Sequence, residues 1–278
     1  MRLIPLILIL FASLSLSAQI NTWIAQDGLW SNSKNWSLGI VPNDNHDVRI
    51  DPESEVIIEN GNWEAQSVQL AEDATLYISQ GAYLWVRSWS NNGTTFVNNG
   101  HLIIEGRLVV RHAYHINNSR GIVNTGQLDL EQSGLLQLHH NSTGIQNGGI
   151  LDIKGDLQGN RHNYMLQLPA GGITNIYDSG YLYARRINNG VIQAAAGSTV
   201  TNAGRIRLAY QIEGGGISTD GEFENLAGAD IWIQDARLSA LAVAGSDANF
   251  TNQGAIRFTG GDFESYGLYI GQGGQMHN

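Results

Sequence analysis

The sequence predicts an all-β protein, a solenoid of stacked coils, and three observations carry that expectation. An apolar residue followed two positions later by Asn and then by Gly recurs seven times, at Phe96/Asn98/Gly100, Ile122/Asn124/Gly126, Ile145/Asn147/Gly149, Ile173/Asn175/Gly180, Val200/Asn202/Gly204, Phe223/Asn225/Gly228 and Phe250/Asn252/Gly254. Successive Asn residues lie 23 to 28 positions apart, a period that marks stacked repeats. The segments after each Gly alternate with period 2, as in Leu102/Ile104, Leu128/Leu130, Leu151/Ile153, Leu182/Ala184 and Ile206/Leu208, the pattern of a half-buried strand. Beyond the leader no window shows sustained helical spacing, and the chain has only 4 prolines. The expectation is about ten coils of 23–28 residues, each strand pairing in parallel with its equivalent one turn along at roughly 4.8 Å.

The elements follow in order. Residues 1–18 combine one positive charge at Arg2, an apolar run from Leu3 to Ala12 and a small-residue end at Ser15–Ala18. That is the layout of a Sec signal peptide cleaved after Ala18, with an apolar core too short to span a membrane. Residues 19–50 are expected to form an N-terminal cap, because a solenoid end exposes strand edges and an open core, which Trp23, Trp30 and Trp36 suit. Residues 51–278 form the coils, the first of them less regular and built from strand-like runs such as EVIIEN, SVQL, TLYI and YLWV. At each corner the Asn is expected to tolerate left-handed geometry and to bond neighbouring main chain and its stacked copies. Asn98, Asn124, Asn147, Asn175, Asn202, Asn225 and Asn252 would thus form one ladder, each following Gly supplying positive φ. The final GLYIGQGGQMHN shows no cap, so a further C-terminal domain or a covering partner is expected.

Composition narrows function. With 25 acidic against 15 basic side chains the net charge is −10, which disfavours nucleic acid and anionic lipid. An apolar share of 42% against 14% charged excludes a disordered chain. The absence of cysteine removes disulfides and thiolate chemistry from an exported protein. No segment after the leader approaches the roughly 20 apolar residues of a spanning helix.

The apolar-x-Asn-x-Gly-x-apolar-x-apolar repeats resemble those of right-handed parallel β-helix proteins of the pectin-lyase-like superfamily and of autotransporter-type bacterial surface passengers. The opening TWIAQDGLWSNSKNWSLGIVPNDNHDVRID, with Trp23, Gly28, Trp30, Asn35, Trp36, Gly39, Pro42, Asp47, Val48 and Ile50, is similar to the start of such secreted solenoids. The resemblance covers nearly all of the mature chain. It implies a right-handed parallel β-helix, secreted or held at the surface of a Gram-negative-type bacterium, and it is silent on activity, because one fold hosts adhesins and hydrolases alike.

Candidate site residues come from matched offsets. Arg111, His112, His139, His140, Arg161 and His162 lie 11 to 14 positions after the Gly of three successive coils, which predicts one azimuth and one stripe. Such a stripe suits a uronate-rich glycan, since Arg forks match carboxylates and His titrates near neutrality. For a polysaccharide lyase, Lys154, Arg161 and His162 are the candidate base and neutralising groups. Asp129 and Asp152, each three after its Gly, are candidate calcium ligands, so calcium is carried as an optional cofactor. Trp85, Trp89, Tyr114, Tyr164, Tyr183, Tyr210 and Trp232 are expected to face outward, available to stack on sugars. The leading expectation is a non-enzymatic scaffold or adhesin-like passenger making multivalent contacts with an extracellular polysaccharide or surface component. The alternative is a lyase or glycosidase on the same fold, distinguished by a concave groove that gathers the stripe.

Overall fold

The computed structural model describes residues 18–88, 93–112, 119–259 and 267–278. Nearly all of the expected signal peptide, and Trp89 and Tyr114, lie outside these residues. The described chain is all-β apart from one 3-10 turn at Ser33–Asn35, and its strands stack as about ten parallel coils.

Each regular coil has three legs. One coil runs through Thr75–Ile78, Ala82–Ser88 and Thr94–Asn98 before the next begins at His101–Ile104. Legs equivalent to Thr75–Ile78 build an 11-stranded sheet, and the other two legs share an 18-stranded sheet that bends between them. Pairing is parallel and in register, so side chains form columns along the axis. The column Leu76, Leu102, Leu128, Leu151, Thr174, Val200, Phe223, Phe250 runs through eight coils with only Thr174 polar. These residues are fully buried, as period-2 alternation requires of the inward positions.

At the N-terminal end Trp23, Trp30 and Trp36 are all buried and meet edge to face, with ring centroids 5.0 Å (Trp23–Trp36) and 4.8 Å (Trp30–Trp36) apart. Trp36 Nε1 donates to the Trp30 carbonyl at 2.8 Å, and an antiparallel bridge joins Trp23 to Trp36. The cluster closes the first coil with aromatic area and edge-to-face contacts.

The asparagines stack, but as two ladders at different corners. Asn98, Asn124 and Asn147 lie where the 18-stranded sheet hands over to the 11-stranded one, and Nδ2 of each of the first two donates to Oδ1 of the next at 2.6 and 2.7 Å. Asn147 ends the run on Thr174 Oγ1 at 3.2 Å. Asn202, Asn225 and Asn252 lie at the far end of the smaller sheet, joined at 2.8 and 2.7 Å and continued by Asn278 at 2.6 Å. Asn175 belongs to neither: it sits on the outer face and donates to Asp152 Oδ1 at 2.8 Å. Asn-x-Gly marks a corner, and two different corners of the coil carry it.

Six of the seven repeat glycines are needed for another reason than the one expected. Gly228 has the expected positive φ, 86°, but Gly100, Gly126, Gly149, Gly180, Gly204 and Gly254 do not, nor do the ladder asparagines. A Cβ on Gly126 would instead lie 2.1 Å from the carbonyl oxygen of Gly100 in the coil before, so the close approach of stacked backbone selects glycine. The left-handed conformation falls to a different row: His140 (φ 59°), Arg161 (64°), Arg186 (55°), Gln211 (52°) and Asp235 (58°).

Candidate functional site

The expected His/Arg stripe divides into an outer row and an inner one. On the first leg of the large sheet Arg87, Arg111, His139, Asn160 and Arg185 occupy one outward column. His140 and Arg161 follow at the corner, in the left-handed row. His112 and His162, expected beside them, are instead buried at 0% and 1% exposure. His112 directly follows outward Arg111 in its strand and so points inward, and His162 is turned inward by the left-handed Arg161 before it. In the coil between, the corner Glu131-Gln132-Ser133-Gly134 is two residues longer than Glu105-Gly106. That insertion puts His139, 13 after its Gly, and not Gln137, 11 after, in register with Arg111.

His162 is a core residue. Its Nδ1 lies 3.2 Å from the carbonyl oxygen of Asn141 and its Nε2 3.1 Å from that of Leu138. Burial pushes its imidazole down to about 4 against the pull of those two carbonyls, so at neutral pH only one ring nitrogen carries a proton. It contributes no exposed base.

Around the outer column the sheet makes a shallow recess of about 220 Å³ lined by Tyr83, Trp85, Arg107, Val109, Arg111, Gln137, His139 and His140. No carboxylate lines it. The Arg107 guanidinium stands over Tyr83 at 4.9 Å and the Arg87 guanidinium over Trp85 at 4.5 Å, while Arg107 also donates to Gln137. His139 is held below the usual imidazole range, first by burial and then by Arg111, Arg185 and Arg107. The recess therefore combines positive charge, planar forks, flat aromatic surface and a neutral imidazole. Sequence offsets identified Arg111, His139 and His140, and the outward-aromatic reading identified Trp85. Tyr83, Arg87 and Arg107 escaped; the signal was available in the alternation Tyr83-x-Trp85-x-Arg87, which puts all three on one face.

The remaining candidates are held by structural partners. Lys154 Nζ pairs with Glu131 Oε1 at 2.9 Å, and that hydrogen bond raises its ammonium pKa, the opposite of what a general base needs. Asp129 and Asp152 stack in register as their offsets implied. Asp129 Oδ2 meets His101 Nε2 at 2.6 Å, both its oxygens accept from Gln127, and Asp152 accepts from Asn175. Calcium takes six to eight oxygen ligands, and two carboxylates already engaged by protein donors do not form such a cage. Among the described residues no group of three or more His, Asp or Glu is placed to hold a metal ion, and no helix is long and apolar enough to cross a membrane.

Neither a protein-family model nor a curated protein matches this chain. Among solved structures it is similar to the crystal structure of a TibC-catalyzed hyper-glycosylated TibA fragment (55–350), at 11% identity over 92% of this chain and 94% of that one. The TM-score is 0.26, a likeness too distant to transfer function.

Proposed function

We propose that the protein is an exported β-solenoid scaffold that makes multivalent contacts with glycans at or outside the cell surface. The observation that carries this reading is the recess of Tyr83, Trp85, Arg107, Arg111 and His139, an outward concentration of arginine and aromatic rings on a chain whose net charge is −10. Aromatic faces stack on sugar rings, and guanidinium forks match carboxylate or sulfate groups bidentately. The leader-like residues 1–18 support export. The recess is open, shallow and without a carboxylate, which suits binding better than acid/base cleavage.

A polysaccharide panel tests the reading, scored for both retention of the protein and appearance of new reducing or unsaturated ends. Retention without cleavage is the expected result. Cleavage would replace the scaffold with a lyase or hydrolase, and absence of retention on every glycan would leave a spacer.

A further inference from the structure

The arginine–aromatic arrangement occurs twice on the same face. Tyr83-Leu84-Trp85-Val86-Arg87 is matched by Tyr181-Leu182-Tyr183-Ala184-Arg185, and both put two rings and a guanidinium outward on the first leg of the large sheet. One coil further on, Arg107 and Arg111 stand beside Tyr83 and Arg87, and Arg205 and Arg207 stand beside Tyr181 and Tyr183. The internal geometry repeats as well. The ring pairs are 6.0 Å (Tyr83–Trp85) and 6.1 Å (Tyr181–Tyr183) apart, and Arg107 covers Tyr83 at 4.9 Å as Arg205 covers Tyr181 at 5.5 Å. Arg207 in addition lies 4.2 Å over Trp232, with its Nε buried and unpartnered.

Register fixes the separation. Tyr83, Arg107, Leu135, Asp156 and Tyr181 are successive members of one column, so the two modules are four coils apart, about 19 Å along the axis at the strand spacing. The coils between them present Gln137, His139, Gln158 and Asn160, with the Gln137 and Gln158 side chains hydrogen-bonded at 2.9 Å, and one carboxylate, Asp156. Asp230, beside Arg205, is engaged by Arg257 at 3.4 Å. The face therefore reads cation and ring, amide bridge, cation and ring.

Resting on the glycan-scaffold reading above, we infer that these are two subsites for one anionic saccharide chain that lies along the solenoid axis and spans both modules. Each module supplies a ring platform for a sugar face and guanidinium forks for carboxylate or sulfate groups, and the amides between them hydrogen-bond hydroxyls. Nucleic acid offers the same negative charge and meets the same repulsion from the acidic remainder of the rod. The choice of a saccharide therefore rests on the bridge of amides between the ring platforms, which suits sugar hydroxyls, and DNA is carried as an outcome of the test. A chain tethered at one module meets the second intramolecularly, so affinity depends on length.

The test measures affinity of the purified protein for two length series, oligogalacturonates and sulfated heparin-derived oligosaccharides, at fixed salt, with single-stranded DNA alongside. Affinity is expected to rise by about 100-fold or more once the oligomer outreaches the roughly 19 Å spacing. The series that shows the rise identifies the anion. Arg87→Gln with Arg111→Gln, or Arg185→Gln with Arg207→Gln, should each abolish the rise and leave long oligomers binding like short ones. Arg111→Lys with Arg207→Lys keeps charge and loses the forks, and should reduce the rise while preserving the melting temperature. Binding with no length dependence, or a rise that survives loss of one module, overturns the two-subsite inference while leaving glycan binding intact. No binding in either series overturns the underlying reading, and DNA bound more tightly than both overturns the choice of ligand.

Discussion

Asn98 Nδ2 lies 2.6 Å from Asn124 Oδ1 one coil along, and both side chains are fully excluded from solvent. The second N–H of Asn98 reaches the Gln127 carbonyl at 2.8 Å, so one amide ties a coil both to the next side chain and to the next main chain. Asn98 Oδ1 has no donor, because the position beneath it in the stack is Leu70. Ladder position should therefore decide what a substitution does. Asn124→Ala strands a donor on Asn98 and an acceptor on Asn147, each worth about 1–3 kcal/mol when buried and unmet. It also releases the Ile150 carbonyl, whereas Asn98→Leu extends the apolar column of Leu70 and releases the Asn124 oxygen and the Gln127 carbonyl. Urea unfolding should show a larger fall in midpoint for Asn124→Ala; equal losses would refute the ladder as a stabilising unit.

Gly126 and Gly228 separate two meanings of glycine. A methyl on Gly126 would overlap the Gly100 carbonyl oxygen, and no flexible side chain is there to yield. Gly228 has φ of 86° and open space around its Cα, so Gly228→Ala should cost about 1 kcal/mol of backbone strain. Gly126→Ala should lose several times that, read as lost amide protection across neighbouring coils by hydrogen exchange.

His162 makes stability acid-sensitive. Its folded imidazole titrates near 4 while the unfolded one titrates near the ordinary 6.5. Below about pH 6.5 the unfolded chain takes up a proton that the fold refuses, so stability should fall between pH 6.5 and 4 by about 3 kcal/mol and then level off. His162→Gln removes this term. The check is melting temperature against pH for both proteins, and parallel curves would exclude His162 as the source.

Arg111→Gln should move His139 upward. Burial is the larger cause of its lowered pKa and will remain, so the shift is partial. A titration followed by NMR of the imidazole protons reads it directly. Binding of an anionic saccharide beside His139 should act in the same direction, whereas a neutral glycan should leave the titration unchanged.

The sequence made the stacking legible because period 2 within strands and a repeat near 25 residues are both consequences of one physical object, a coil with an inside and an outside. Asp129 over Asp152 and the Trp23, Trp30 and Trp36 cap could be read directly. Azimuth was harder. Counting from the Gly placed His112 and His162 outward, but His112 follows outward Arg111 in strand alternation and His162 follows left-handed Arg161, so both point inward, while a corner longer by two residues sets His139 and not Gln137 against Arg111. Likewise Asn175 kept the spacing while leaving the ladder, since spacing reports coil length and not which corner carries the amide. The arginine–aromatic modules were hidden for the opposite reason: outward positions are unconstrained by packing, so no repeat scan built on apolar residues weights them.

Every amide-to-amide bond in the ladders runs the same way, the nitrogen of one asparagine donating to the oxygen of the next toward the C-terminal end. The interior therefore has a sense of direction, as a row of arrows does. A coil copied into a ladder finds both neighbours ready for it, whereas a coil set in the reverse sense would place amide against amide. The rod can grow by repetition within each ladder and tolerates no inversion.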